Sequence, residues 1–205
     1  MKNFIEISDS EEEQVDKIKK WWNSNGKQII AGAAIGLAGV FGWNYYNDYQ
    51  DNQALNARTL YLNYAADSNN VGAYNKLINE HSSNTYTDQA TLLMAKYLFD
   101  AGSYSLALDA IKPLISNQSS IISSTAVLRV ASIYLQLGQH DEALSTLNIE
   151  SGEGFSGLIY NLTGDVYLDL GNSDEAKKYY LLAIENITEN SNLTQLIQIK
   201  LDDLN

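Results

Sequence analysis

The chain has 205 residues, 45% of them hydrophobic, with 13 Lys and Arg against 25 Asp and Glu, one Pro, no Cys and two His. Without cysteine there are no disulfides, no thiolate nucleophile and no thiolate-bound metal, and two histidines are too few for a multi-histidine centre. A net charge of −12 argues against a nucleic-acid binder, which needs clustered Lys and Arg on one face.

In chain order, the first predicted element is a short amphipathic helix over Ser8 to Lys20, SDSEEEQVDKIKK, with acids first and bases later. Ser10 followed by Glu13 has capping-box form, and Glu13 to Lys17 and Asp16 to Lys20 are i,i+4 pairs in the favourable order. The Glu11, Glu12, Glu13 cluster reads either as a solvated helix start or as a handle for a basic partner.

From Gln28 to Asn47 there is no ionisable acid or base, and Ile29 to Trp43, IIAGAAIGLAGVFGW, has only apolar residues apart from the Trp indole. About 20 helical residues span the hydrocarbon of a bilayer, so this is a transmembrane helix of minimum length. Trp21 and Trp22 precede the run, and Trp43, Tyr45, Tyr46 and Tyr49 follow it, as amphipathic rings at two membrane interfaces do. Lys17, Lys19, Lys20 and Lys27 lie before the run, whereas the nearest base after it is Arg58, which predicts a cytoplasmic N-terminus. A cleavable signal peptide would end in small residues; bulky FGWNYYNDY (Phe41 to Tyr49) predicts a retained anchor instead. Within it Gly32 and Gly36 form a GxxxG pair, and Ala34, Ala38 and Gly42 recur at every fourth position. These are candidates for a helix-packing face, although small residues are also common in membrane helices generally.

The segment from Asp48 onward holds 8 basic and 19 acidic residues and carries −11 of the net charge. Three stretches within it align: Leu93 to Ile111, Arg129 to Leu147 and Leu162 to Tyr180. Gly102, Gly138 and Gly171 are spaced by 36 and 33 residues; small residues (Ala95, Ala131, Gly164) lie seven before each, and alanines (Ala107, Ala143, Ala176) five after. The register predicts antiparallel helix pairs, each first helix ended by a glycine in a left-handed cap, with the paired small residues letting the helices cross closely. Leu98, Tyr134 and Tyr167 fill the large position on the first helices, and Ile111, Leu147 and Tyr180 that on the second.

The pattern resembles the tetratricopeptide repeat, a unit of about 34 residues. It departs from it at the early aromatic position, occupied by Thr91, Val127 and Tyr160, and in lacking the terminal proline. Leu55 to Glu80, with Leu55, Leu62, Ala65, Tyr74, Leu77 and Ile78 as its apolar positions, predicts an imperfect first unit. Leu193 to Leu204 predicts a capping helix, its face formed by Leu193, Leu196, Ile197, Lys200, Leu201 and Leu204. The fold class is therefore all-α, a single transmembrane helix followed by a tetratricopeptide-like solenoid. The expected divisions are a tail (1–25), an anchor (26–47) and a repeat domain (48–205).

No residue is assigned a catalytic, cofactor-binding or metal-binding role, and no enzyme activity is expected. GEGFSG (Gly152 to Gly157) lacks the Lys and the register of a phosphate loop and reads as the connection between the second and third units. Glu153 has no second carboxylate placed across a cleft, and His81 and His140, in a loop and an inter-helix turn, read as surface residues. Candidate protein-binding residues are the tyrosines off the core register, Tyr97, Tyr104 and Tyr179, on a surface whose negative charge favours basic partners.

Gln14 to Trp43, the stretch onward to Tyr64, GEGF (Gly152 to Phe155) and LTGDVYLDLG (Leu162 to Gly171) resemble the YfgM family of ancillary SecYEG translocon subunits of Gram-negative bacteria, over nearly the whole chain. The resemblance implies a single-pass inner-membrane protein with a periplasmic repeat domain, partnered by the SecYEG translocon and the membrane-anchored chaperone PpiD. It further implies a part in passing newly exported client proteins to periplasmic chaperones, and a link to envelope-stress signalling. The residues by themselves are also compatible with a passive scaffold organising another inner-membrane complex.

Overall fold

The computed structural model describes residues 11–152, 154–187 and 192–204, and all secondary structure among them is helical. It divides into two compact units, with the division between Ala54 and Leu55. Helix α1, Glu11–Ala66, crosses that division, and no break in it marks the expected boundaries at 25/26 or 47/48. Nothing in the segment compels a break: it contains no proline, and Glu11, Glu12 and Glu13 complement the positive helix start. Ser10 and its expected capping box lie outside the described residues.

The second unit is a chain of helix pairs. The last turns of α1 share a buried cluster with α2 (Val71–Glu80) and α3 (Thr85–Asp100). Helix α3 pairs with α4 (Tyr104–Ile111), α5 (Ser120–Gln136) with α6 (His140–Leu147), and α7 (Ser156–Asp169) with α8 (Ser173–Glu185). Helix α9, Asn192–Asp202, packs on α8 and closes the array. The chain's only proline, Pro113, sits in a 3-10 turn, Lys112–Ser116, that follows α4. Asn70, Asn84, Ser119 and Asn172 each cap a helix by accepting a backbone N–H with the side chain.

The three aligned glycines carry φ of 74°, 68° and 75° at Gly102, Gly138 and Gly171. Each ends its helix in the same pair of bonds: Gly102 N–H donates to Phe99 O and Ser103 N–H to Leu98 O, Gly138 to Leu135 and Gln139 to Tyr134, Gly171 to Leu168 and Asn172 to Tyr167. This is the Schellman arrangement, which satisfies carbonyls that the helix end leaves open. The unequal spacings of the glycines follow from helix length, since α5 has 17 residues and α7 has 14.

The core is a succession of clusters, each shared by neighbouring helices, as expected of a quasi-one-dimensional array. The small residues Ala95, Ala131 and Gly164 and their partners Ala107, Ala143 and Ala176 are all buried, and so are Ile111, Leu147 and Tyr180. Tyr134 packs against two successive clusters and so joins the first aligned pair to the second.

The first unit of the array differs from its expected register. Ala57 and Tyr64 are fully buried, with Leu60 and Tyr61 beside them, while Leu55, Leu62 and Ala65 face outward. Tyrosine takes the core face because its ring supplies a large apolar area and its hydroxyl reaches a partner: Tyr64 Oη donates to Met94 Sδ at 3.6 Å and the ring packs on Tyr74 at 5.4 Å. In α2 it is Ala73 and Leu77 that are buried, and Ile78 is exposed; in α9 Ile197 and Leu201 are buried, and Leu196 is exposed. His81, expected at the surface, is only 9% exposed. Its carbonyl accepts Thr87 Oγ1 at 2.6 Å and Asn84 N–H at 2.9 Å, which folds the turn between α2 and α3 over it.

Candidate protein-binding surfaces

On α1 the membrane-length stretch leaves Ile30, Ile35, Leu37, Val40, Phe41 and Trp43 exposed among the described residues, and the helix is long and apolar enough to cross a bilayer. A Cβ built at Gly32, Gly36, Gly39 or Gly42 would meet no atom within 4 Å. At about 100° per residue, Gly32, Gly36 and Gly39 fall in an arc of about 60°, and Ala34, Ala38, Gly42 and Ala31 in an adjoining one of about 80°. Ile35 stands between the two strips as a ridge. Gly39 and Ala31 complete a surface that every-fourth-residue counting leaves partial. Gly26 differs, since a Cβ there would lie 3.1 Å from the Trp22 ring, which covers it.

In the array, the first helices of successive pairs lie side by side, α3 against α5 and α5 against α7. The three candidate tyrosines sit in separate places. Tyr97 is exposed on α3. Tyr104 packs its ring on Phe99 at 5.2 Å as part of the α3–α5 cluster. Tyr179 is half-buried, stacked on Tyr167 at 5.3 Å and close to Tyr160 at 6.3 Å. Among the described residues, Tyr97 is the one of the three with no ring packed against it.

Two polar features carry no signal in the repeat register. Lys200 of α9 reaches Asp165 Oδ1 at 2.5 Å and Asn161 Oδ1 at 3.1 Å on α7, and Tyr180 Oη donates to the same Asp165 oxygen at 2.7 Å. Burial, together with that bond, pushes the Tyr180 hydroxyl well above its ordinary pKa. The clasp fastens the closing helix to the last pair. Its one trace in sequence is Lys200 interrupting an apolar face. The second feature is Arg129, on the α5 face turned to α3, whose Nη1 donates to Leu92 O at 2.5 Å. It borders a cavity of about 270 Å³ lined by Ala95, Lys96, Phe99, Asp100, Ser132 and Ile133. Its trace is a lone Arg within the apolar run AVLRVASI (Ala126 to Ile133). His140 Nε2 lies 2.6 Å from Asp169 Oδ2 and bridges α6 to the end of α7.

Repeated glycine-capped helix pairs with a closing helix define a tetratricopeptide-like solenoid, in a chain that also has a membrane-length apolar helix. The family model for a tetratricopeptide repeat-like domain matches residues 19–205. An ancillary SecYEG translocon subunit of Aggregatibacter actinomycetemcomitans is 35% identical over 200 residues, covering 95% of this chain and 97% of that one. Proteins of the same name from Haemophilus influenzae and Escherichia coli are 30% and 27% identical, over 95% and 98% of this chain and 97% and 99% of their own. Among solved structures, the MamA protein superposes with a TM-score of 0.51 at 17% identity over 74% of this chain and 86% of its own, a likeness of fold. The chain belongs to the family of ancillary SecYEG translocon subunits.

Proposed function

We propose that this chain is anchored in the bacterial inner membrane by α1, with its N-terminus in the cytoplasm and its helix array in the periplasm. There it attends the SecYEG translocon and passes newly exported proteins to periplasmic chaperones, a PpiD-type membrane-anchored chaperone among them. The work is done by protein–protein binding, without turnover, and reaches into envelope-stress regulation. The observation that carries this reading is the end-to-end match to proteins named as translocon subunits, which takes in the apolar helix as well as the array. Orientation is supported by Lys17, Lys19, Lys20 and Lys27 ahead of the apolar run against Arg58 beyond it. The strips of Gly32, Gly36, Ala34, Ala38 and Gly42 supply a face on which a translocon or chaperone helix packs, because small residues allow backbones to approach. Tyr97, with Tyr104 and Tyr179 supporting their own neighbourhoods, supplies contact area on the array.

Crosslinking from α1 in native membranes, followed by mass spectrometry, tests the first half: SecYEG and a chaperone should be captured. Pulse-labelled export tests the second. Removal of the chain should slow the appearance of an exported protein on its chaperone. Capture of some other membrane complex, with export kinetics unchanged, would leave a passive scaffold as the function.

A further inference from the structure

Arg129 is half-buried beside the α3–α5 cavity, yet among the described residues its only hydrogen bond is the one from Nη1 to Leu92 O, and it makes no ion pair. Among those residues no fully buried side-chain nitrogen lacks a partner, so the remaining guanidinium donors are not sealed from solvent, and Arg129 is itself part of the cavity lining. The carboxylate near it, Asp100, is engaged by Lys96 Nζ at 2.5 Å, and the two cancel in charge. Burial lowers the pKa of Arg129 and Asp100 partly offsets that, which marks a cation stripped of much of its hydration and weakly compensated. Phe99, Ala95 and Ile133 form apolar walls around it.

We infer that the α3–α5 cavity is a docking site for a protein segment that presents an acidic side chain next to an apolar one, the carboxylate received by the Arg129 guanidinium and the apolar side chain seated against Phe99 and Ile133. Charge complementarity argues for this occupant. The guanidinium has the planar fork that suits a carboxylate, and charge-assisted bonds are strongest where water is partly excluded. A volume of about 270 Å³ lies slightly below the range of drug-sized ligand pockets and suits a side-chain pair. Because the segment from Asp48 carries −11, a strongly acidic segment is repelled before it arrives. The favoured ligand is therefore a neutral or basic stretch with one acid beside a Leu, Ile or Phe. This rests on the protein-binding function proposed above and narrows its ligand chemistry.

The test uses the full chain in detergent and short N-acetylated, C-amidated peptides with a central Leu–Asp or Leu–Asn pair between Lys-containing flanks. The Asp peptide should bind about tenfold or more tightly than the Asn peptide, the scale of a charged hydrogen bond. Arg129→Gln should abolish that preference. Asp100→Asn, which removes a competing carboxylate and keeps Arg129, should tighten binding of the Asp peptide severalfold, an outcome a purely structural role for Arg129 does not produce. Ser132→Leu, which narrows the cavity without touching the guanidinium, should weaken both peptides and guards against misfolding of the Arg129 variant. Equal binding of the Asp and Asn peptides, or no binding of either, overturns the inference. The same samples are assayed for recovery of SecYEG. Translocon recovery without peptide discrimination overturns this site alone, whereas loss of both in the wild-type chain overturns the proposed function with it.

Discussion

The two units use the same small residues to opposite ends. In the array a Cβ at Gly164 would lie 2.5 Å from Tyr180 Cε1, and one at Gly157 would lie 2.3 Å from Ile187 Cγ1, so the close approach that these glycines permit is already made inside the chain. In the anchor a Cβ at Gly32, Gly36, Gly39 or Gly42 would touch nothing. Glycine in a helix interior costs about 1 kcal/mol relative to alanine in water, so it persists where a neighbour or an environment makes use of it. For the array that neighbour is the next helix; the anchor's glycines have no such neighbour among the described residues. The difference separates stability from association, and each unit should respond to substitution accordingly.

The largest effect is expected at Gly164. Tyr180 cannot retreat easily from added bulk, since its hydroxyl is bonded to Asp165 and Lys200 Nζ lies 5.3 Å from its ring centroid. Gly164→Val should destabilise the array by about 3 kcal/mol, through overpacking, as read from near-ultraviolet circular dichroism of the full chain in detergent on heating. An unchanged melt would mean that the crossing of α7 and α8 is looser than their contact implies.

Next comes Gly138, where a Cβ has open space but φ is 68°. Gly138→Val should cost about 2 kcal/mol from backbone strain alone, because a β-branched residue is a true outlier in that region. Gly138→Asn should restore most of the loss, since Asn tolerates the left-handed region. If both variants lose equal stability, a side-chain clash and not φ is responsible, which contradicts the open space around this cap.

These two positions also mark how far the sequence could be read. The glycine caps and the paired small residues are local requirements, fixed by φ and by helix crossing, so they recur at set offsets and are visible in one chain. The burial of Tyr64 and the outward turn of Leu55, Leu62 and Ala65 are not local. Both faces of the end of α1 carry apolar residues, and only packing against α2 and α3 chooses between them. The contacts of Lys200 and Arg129 are not local either, because each finds its partner 35 or more residues away, Asp165 and Leu92 respectively. Of the three candidate tyrosines, Tyr104 and Tyr179 proved to be packed on other rings, which position off the repeat register does not reveal.

A smaller effect belongs to the clasp. Tyr180 has its pKa raised above 10.0, by burial first and then by the bond to Asp165. The folded state thus favours the neutral hydroxyl, and its contribution is complete below the unfolded-state pKa near 10.0 and declines as pH rises through the higher folded value. Stability of the array should fall with pH above 10, and Tyr180→Phe should flatten that fall while costing about 1 kcal/mol at neutral pH for the lost hydrogen bond. An undiminished alkaline slope in the Phe variant would place the titration elsewhere.

The smallest effect on stability, and the one that most sharpens the contrast, is expected in the anchor. Ala38 lies within the small-residue arcs of α1, whereas Ala33 lies roughly opposite them at about 100° per residue. Ala38→Leu and Ala33→Leu add the same bulk to the same helix, and neither residue is buried, so neither should change the thermal melt of the array. Their consequences for partners should differ. Bulk at Ala38 keeps a second helix from the backbone and should reduce recovery of crosslinked membrane partners severalfold, while bulk at Ala33 should leave it near the wild-type level. Gly36→Leu should behave as Ala38→Leu does, on the adjoining strip. Were all three variants to recover partners equally, the anchor's glycines and alanines would be a matter of membrane-helix composition, and association would have to rest on the array alone.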